Sequence, residues 1–191
     1  MNDSGLAASS PGSLTQNEIR SLLPHAGAMC LLESVLAWDM NSISCSSLSH
    51  CVPNNPLRAA SGLASANGIE YAAQAMALHA ALVSGATPQK SSRLASPSAS
   101  IPSSPPASMP TGQSPEQPAE QPPEQPPHGV LASVRAVQLH VARLDVYAGA
   151  LTVRAVLLSG DPSTAIYEFS IAIGALTLVQ GRASVLFDAP R

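Results

Sequence analysis

Between Ala86 and His128 the sequence loses almost every large apolar residue, and this constrains the fold more than any other feature. Twelve of the chain's 18 prolines fall in that stretch, together with the repeat Pro115-Glu-Gln-Pro, Ala119-Glu-Gln-Pro, Pro123-Glu-Gln-Pro. Such a segment cannot bury enough surface to offset the entropy of ordering it, so it predicts a disordered insertion. Closing so long a loop costs little more than closing a short one, because the entropic cost grows logarithmically. Residues 1–12, rich in Ser, Gly and Ala, read as a second disordered end. What can fold is residues 13–188: one domain, interrupted at about 86–128, whose two blocks must share a core.

The two blocks carry different periodicities. Asn17–Leu23 reads as a short helix stopped by Pro24, followed by strands over Ala28–Trp38 and Ser42–Ser49. A Pro- and Gly-punctuated connector leads into one long helix, about Ser65–Val83. There Ile69, Ala72, Ala73, Met76, Ala77 and Ala80 recur at three- and four-residue spacing, giving a face of small side chains that can lie close to a curved sheet. After the insertion, Val130–Val141, Leu151–Leu158, Ala165–Ala175 and Ala175–Phe187 read as four strands. The order predicts an α+β fold, an antiparallel sheet wrapped around one central helix.

Composition removes several classes of function. With a net charge of -3, a pI near 5.9 and scattered basic residues, the chain has no stripe to neutralise nucleic-acid phosphates. Cys30, Cys45 and Cys51 are odd in number and lack metal-ligand spacing, which predicts reduced thiols and no metal site. No signal-like segment and no apolar run of membrane-spanning length occurs, so a soluble cytoplasmic protein is expected.

The residues best suited to chemistry are His50, at the end of a strand-like run, and Glu70, on the first turn of the Ala-rich helix. A neutral imidazole and a carboxylic acid facing one acyl thioester can take a proton from one carbon and give one to a leaving hydroxyl. Each has a plainer alternative. Glu70 stands three residues after Asn67 and fits a capping box; His50 could be a strand-end histidine bonded to a turn carbonyl. His79, nine positions after Glu70, lies on the opposite helix face and is expected to be structural, as is His25. His140 and Asp145 could form a surface pair, and His128 belongs to the insertion.

Several further blocks stand out: Leu22-Leu-Pro-His25, Met29-Cys-Leu-Leu-Glu33, His50 with Asn55-Pro-Leu-Arg58, Gly68-Ile-Glu-Tyr-Ala-Ala-Gln-Ala-Met-Ala-Leu-His79, Leu131-Ala-Ser-Val-Arg135, His140-Val-Ala-Arg-Leu-Asp145 and Gly181-Arg-Ala183. Together they resemble the 3-hydroxyacyl-acyl-carrier-protein dehydratases, a hotdog-fold family, and within it the aryl-polyene type. The resemblance implies that His50 is the base on the α-carbon and Glu70 the acid toward the 3-hydroxyl. It implies backbone N–H groups near Gly62 and Leu63 aimed at the thioester oxygen, and Arg58 is a candidate for the phosphate of the carrier's phosphopantetheine arm. It further implies no cofactor of the chain's own, an acyl carrier protein as partner, and a homodimer or heterodimer with another hotdog subunit whose sites lie at the shared interface. A hotdog thioesterase, and a non-catalytic subunit that stabilises a second dehydratase-like chain, are the alternatives from other functional classes.

Overall fold

The computed structural model describes residues 14–23, 27–85 and 129–187. Residues 1–12, His25, the 86–128 insertion and His128 lie outside the described residues.

Helix α1 (Gln16–Leu22) opens with a capping box between Thr15 and Glu18: Thr15 N–H and Oγ1 donate to the Glu18 carboxylate at 2.9 and 2.8 Å. A 3-10 turn over Gly27–Met29 precedes β1 (Ser34–Trp38) and β2 (Ser42–Ser47), and a second over Ser49–Cys51 carries His50. A third 3-10 turn, Ser65–Asn67, runs directly into α2 (Gly68–Val83). Strands β3 (Gly129–Leu139), β4 (Leu151–Gly160), β5 (Thr164–Ile173) and β6 (Leu176–Phe187) complete the element order. The six strands form one antiparallel sheet in the order β1-β2-β4-β5-β6-β3, so both blocks contribute to it and β1 and β3 are its edges.

The sheet alternates as a half-buried sheet should. On β5, Ala165, Tyr167, Phe169 and Ile171 are buried, while Ile166 and Glu168 between them are exposed. The inward residues close over α2. At the start of that helix the approach is so close that a Cβ on Gly68 would lie 2.7 Å from Ile171 Cδ1 and 3.2 Å from Val179 Cγ2.

Two expectations need correction. Residues 30–33 are not strand, although Ala28–Trp38 reads as one. Leu31 and Leu32 are fully buried there, but the Leu31 N–H donates to the Gln74 side chain and its carbonyl accepts from Ser47 Oγ, so side chains replace the ladder. The helix is central, but its face is assigned differently. Ala72 and Met76 are buried, with Tyr71, Gln74, Ala75, Leu78, His79, Ala81 and Leu82, whereas Ile69, Ala73, Ala77 and Ala80 are the half-buried stripe. A helix enclosed nearly all round needs no single apolar face, so the alanine spacing does not mark one.

Candidate functional site

Chain direction places His50 just beyond β2, where Leu48 ends the strand and the 3-10 turn folds the imidazole inward; the residue is 0% exposed. Its Nε2 lies 3.1 Å from the Tyr147 carbonyl oxygen, which can only accept, so Nε2 carries the hydrogen and Nδ1 the lone pair. Nδ1 is buried and has no hydrogen-bond partner among the described residues. The exposed thiol of Cys51 also touches Nε2, at 3.3 Å. Burial lowers the His50 pKa below the ordinary 6.5, opposed by the Tyr147 carbonyl and by the charges of Asp145 and Glu33, with Arg58 acting in the same direction as burial. The imidazole is therefore neutral at pH 7, the state a general base requires.

Glu70 sits in the first turn of α2 and is half-buried. The capping reading does not hold. The Asn67 backbone N–H is used by Ala64 O, its side-chain amide donates to Leu57 O, and its own backbone is already helical. Glu70 Oε1 instead accepts from Gln74 Nε2 at 3.0 Å. That amide is fully buried and fixed on its other sides by Met29 O and Leu31 N–H, at 2.8 and 2.9 Å. When Glu70 is protonated, the bond to Oε1 favours the proton on Oε2.

His50 and Glu70 are not hydrogen-bonded to each other, but a buried polar chain links them. It runs from Glu70 through Gln74 and the Leu31 backbone to Ser47 Oγ, then to Ser49 Oγ at 2.9 Å, the residue before His50. Ser49 Oγ reaches Tyr71 OH at 2.8 Å, and Asn55 Nδ2 donates to both Tyr71 OH and Ser49 O. The spacing of Gln74, one helical turn after Glu70, could have revealed its role in the sequence. Nothing in the sequence pointed to Tyr147, which acts through its backbone carbonyl.

The remaining predicted residues have structural occupations. Gly62, at φ +104, donates its N–H to Ala59 O at 2.9 Å, and the Arg143 guanidinium occupies the space where a Cβ would be. The Leu63 N–H helps to lower the Asp145 pKa. The helical turns begin only at Ser65. Arg58 pairs with Asp145 at 2.5 Å and donates to His50 O at 2.9 Å. Asp145 also holds Arg143 at 2.6 Å, and its side chain is 3% exposed, so it is not a surface partner of His140. These hydrogen bonds, Arg143's foremost, hold its carboxyl well below the usual range. His79 is structural, bonded to Tyr167 OH and Asp39 O, both at 2.9 Å. A cavity of about 370 Å³ over β3–β6, lined by Arg154, Glu168 and Arg182 among others, includes neither His50 nor Glu70. Among the described residues, no helix is long and apolar enough to cross a membrane.

An antiparallel sheet curled around one long helix, with polar groups gathered at the helix start, defines a hotdog-fold protein. Residues 17–93, about two-fifths of the chain and spanning both His50 and Glu70, match the ApeP-like family, described as ApeP dehydratase. Among solved structures, the dehydratase heterocomplex ApeI:P from Xenorhabdus doucetiae is similar at 22% identity and a TM-score of 0.59, over 90% of this chain and 91% of that one. The thioesterase HI1161 from Haemophilus influenzae is similar at 11% identity and a TM-score of 0.51, over 90% and 87%. No curated protein matches. At these identities the structures show the fold alone; the match over residues 17–93 agrees with the aryl-polyene-type hotdog dehydratase family that the sequence blocks resemble.

Proposed function

We propose that the chain is a dehydratase that removes water from 3-hydroxyacyl thioesters carried on an acyl carrier protein, leaving a 2,3-unsaturated acyl chain. The observation that carries this reading is the family match across both His50 and Glu70, on a buried neutral imidazole whose Nδ1 has no partner among the described residues. His50 Nδ1 takes the C2 proton, and the electron pair left on C2 forms the double bond. The C3–O bond breaks, and Glu70 Oε2 supplies the proton that lets the hydroxyl leave as water. Burial, with no donor at Nδ1 among the described residues, favours its lone pair remaining available.

A second hotdog subunit belongs to this reading. The ApeI:P neighbour is a heterocomplex, and β3 gives this chain an 11-residue edge with Val130 and Leu139 well exposed. Such an edge is a template for pairing with another chain. The test is an assay of the purified chain, alone and with a candidate hotdog partner, on 3-hydroxyacyl carrier protein. Enoyl product that disappears on His50→Ala is the expected result. Release of free carrier thiol without enoyl product would make the chain a thioesterase, and activity that survives His50→Ala and Glu70→Gln in the complex would make it a supporting subunit.

A further inference from the structure

The Asp145 carboxylate gathers two guanidinium groups from two segments of chain: Arg58 through Nη1, from the connector after His50, and Arg143 from the loop after β3. Two routes lead from this cluster to His50. Arg58 holds Asp145 with Nη1 and the His50 carbonyl with Nη2, so one guanidinium joins the histidine's backbone to the carboxylate. On the other side, the turn that contains Asp145 is closed by Tyr147 N–H to Leu144 O at 3.2 Å, and the Tyr147 carbonyl is the acceptor for Nε2. The turn itself is fixed to the connector by Leu144 N–H to Leu63 O at 2.9 Å and Ser65 N–H to Ala142 O at 3.0 Å.

We propose that Arg58 and Asp145 are positioning residues that grip His50 at both ends, its carbonyl directly and its ring through the 144–147 turn, and so fix the tautomer in which Nδ1 is bare. This rests on the dehydratase reading for its purpose, though not for its test. A histidine's tautomer is set by the partner of its other nitrogen. Here that partner is a backbone carbonyl, which cannot invert its role, but it can be moved. Loss of the ion pair frees the turn and leaves Nε2 and Nδ1 to compete for the hydrogen. The charged and titratable groups that bear on the ring are Asp145, Glu33 and Arg58, with the Cys51 thiol at Nε2. Arg143 pairs with the same carboxylate but makes no bond to His50, which provides a control.

The test is the nitrogen-15 spectrum of the His50 imidazole in the full chain at pH 7.5, with steady-state kinetics alongside. The wild type should show protonated Nε2 and bare Nδ1. Arg58→Lys, which keeps the charge but lacks the planar fork whose two nitrogens separately hold carboxylate and carbonyl, and Asp145→Asn should both give mixed tautomers. Both should lower kcat by up to about 10²-fold with little change in KM, the scale of a small misplacement of a reacting group. Arg143→Gln should leave the spectrum as it was. Unchanged His50 signals in folded Arg58→Lys and Asp145→Asn would overturn the proposal, as would an equal response in Arg143→Gln. Should both variants fail to fold, the wild-type spectrum decides, because mixed tautomers there also overturn it. A tautomer that responds as expected in a chain inert toward 3-hydroxyacyl carrier protein would sink the dehydratase reading and leave this one standing.

Discussion

Glu70 shows how one residue can separate chemistry from structure. Its carboxylate accepts from Gln74, and a glutamine can accept the same bond. Glu70→Gln should therefore keep the wild-type denaturant midpoint while turnover falls by about 10² to 10⁴, because the amide has no acidic proton to give. Full activity in that variant would move the acid elsewhere. His50 and His79 make a second prediction, in pH. Burial lowers both below the ordinary 6.5, so between that value and their folded values the unfolded chain binds the additional protons. Stability is then fully present above about pH 6.5 and is lost as pH falls toward the folded values. Asp145, also depressed, acts in a lower window below its ordinary 3.8 and does not mask this. Urea midpoints at pH 7.5 and 5.5 check it; His79→Gln should show a shallower difference, and equal wild-type midpoints would contradict burial of two neutral imidazoles.

At the scale of elements, the helix is where sequence and structure part. The strands after the insertion are legible because alternation is a period-two signal that burial on one face enforces, and the predicted spans lie within a few residues of β3 to β6. The helix was legible as a helix and not as a face, since alanines packed all round carry no phase. His50 and Glu70 stood out as residue types, whereas Tyr147 contributes a backbone atom and Asp145 is joined to Arg58 across 87 residues, which no local pattern encodes. The corrected burial moves the packing prediction. Ala72 and Ala75 are 0% exposed, so leucine at either should overpack the sheet contact and cost about 1 to 3 kcal/mol. Ala77→Leu, on the half-buried stripe, should cost less. Chemical denaturation of the three variants decides, and equal midpoints would mean that α2 is not enclosed as described.

For the whole molecule, the described residues form a complete sheet and helix from the two blocks on either side of the insertion. Removing Ser91–Gln125 should thus leave the melting temperature within a few degrees, since residues of that composition supply little apolar surface. The larger demand falls on the edge of the sheet. Among the described residues strand β3 has only β6 beside it, and its 11 residues include Val130 at 60% and Leu139 at 48% exposure. Bulges between Leu131 and Ser133 and between Arg135 and Gln138 interrupt the register, but a long apolar edge left open invites aggregation. A partner strand would satisfy the unpaired backbone groups and cover these side chains together. We therefore expect the chain to purify as a dimer with itself or with a second hotdog subunit, measured by light scattering. Leu139→Lys, which places a charge on the exposed edge at a side chain that is 48% exposed, should weaken that association while the isolated chain keeps its helical and strand signals. If the mass remains dimeric in this variant and in Val130→Lys, β3 is not the pairing edge and the sites implied at a shared interface would have to form around another part of the sheet.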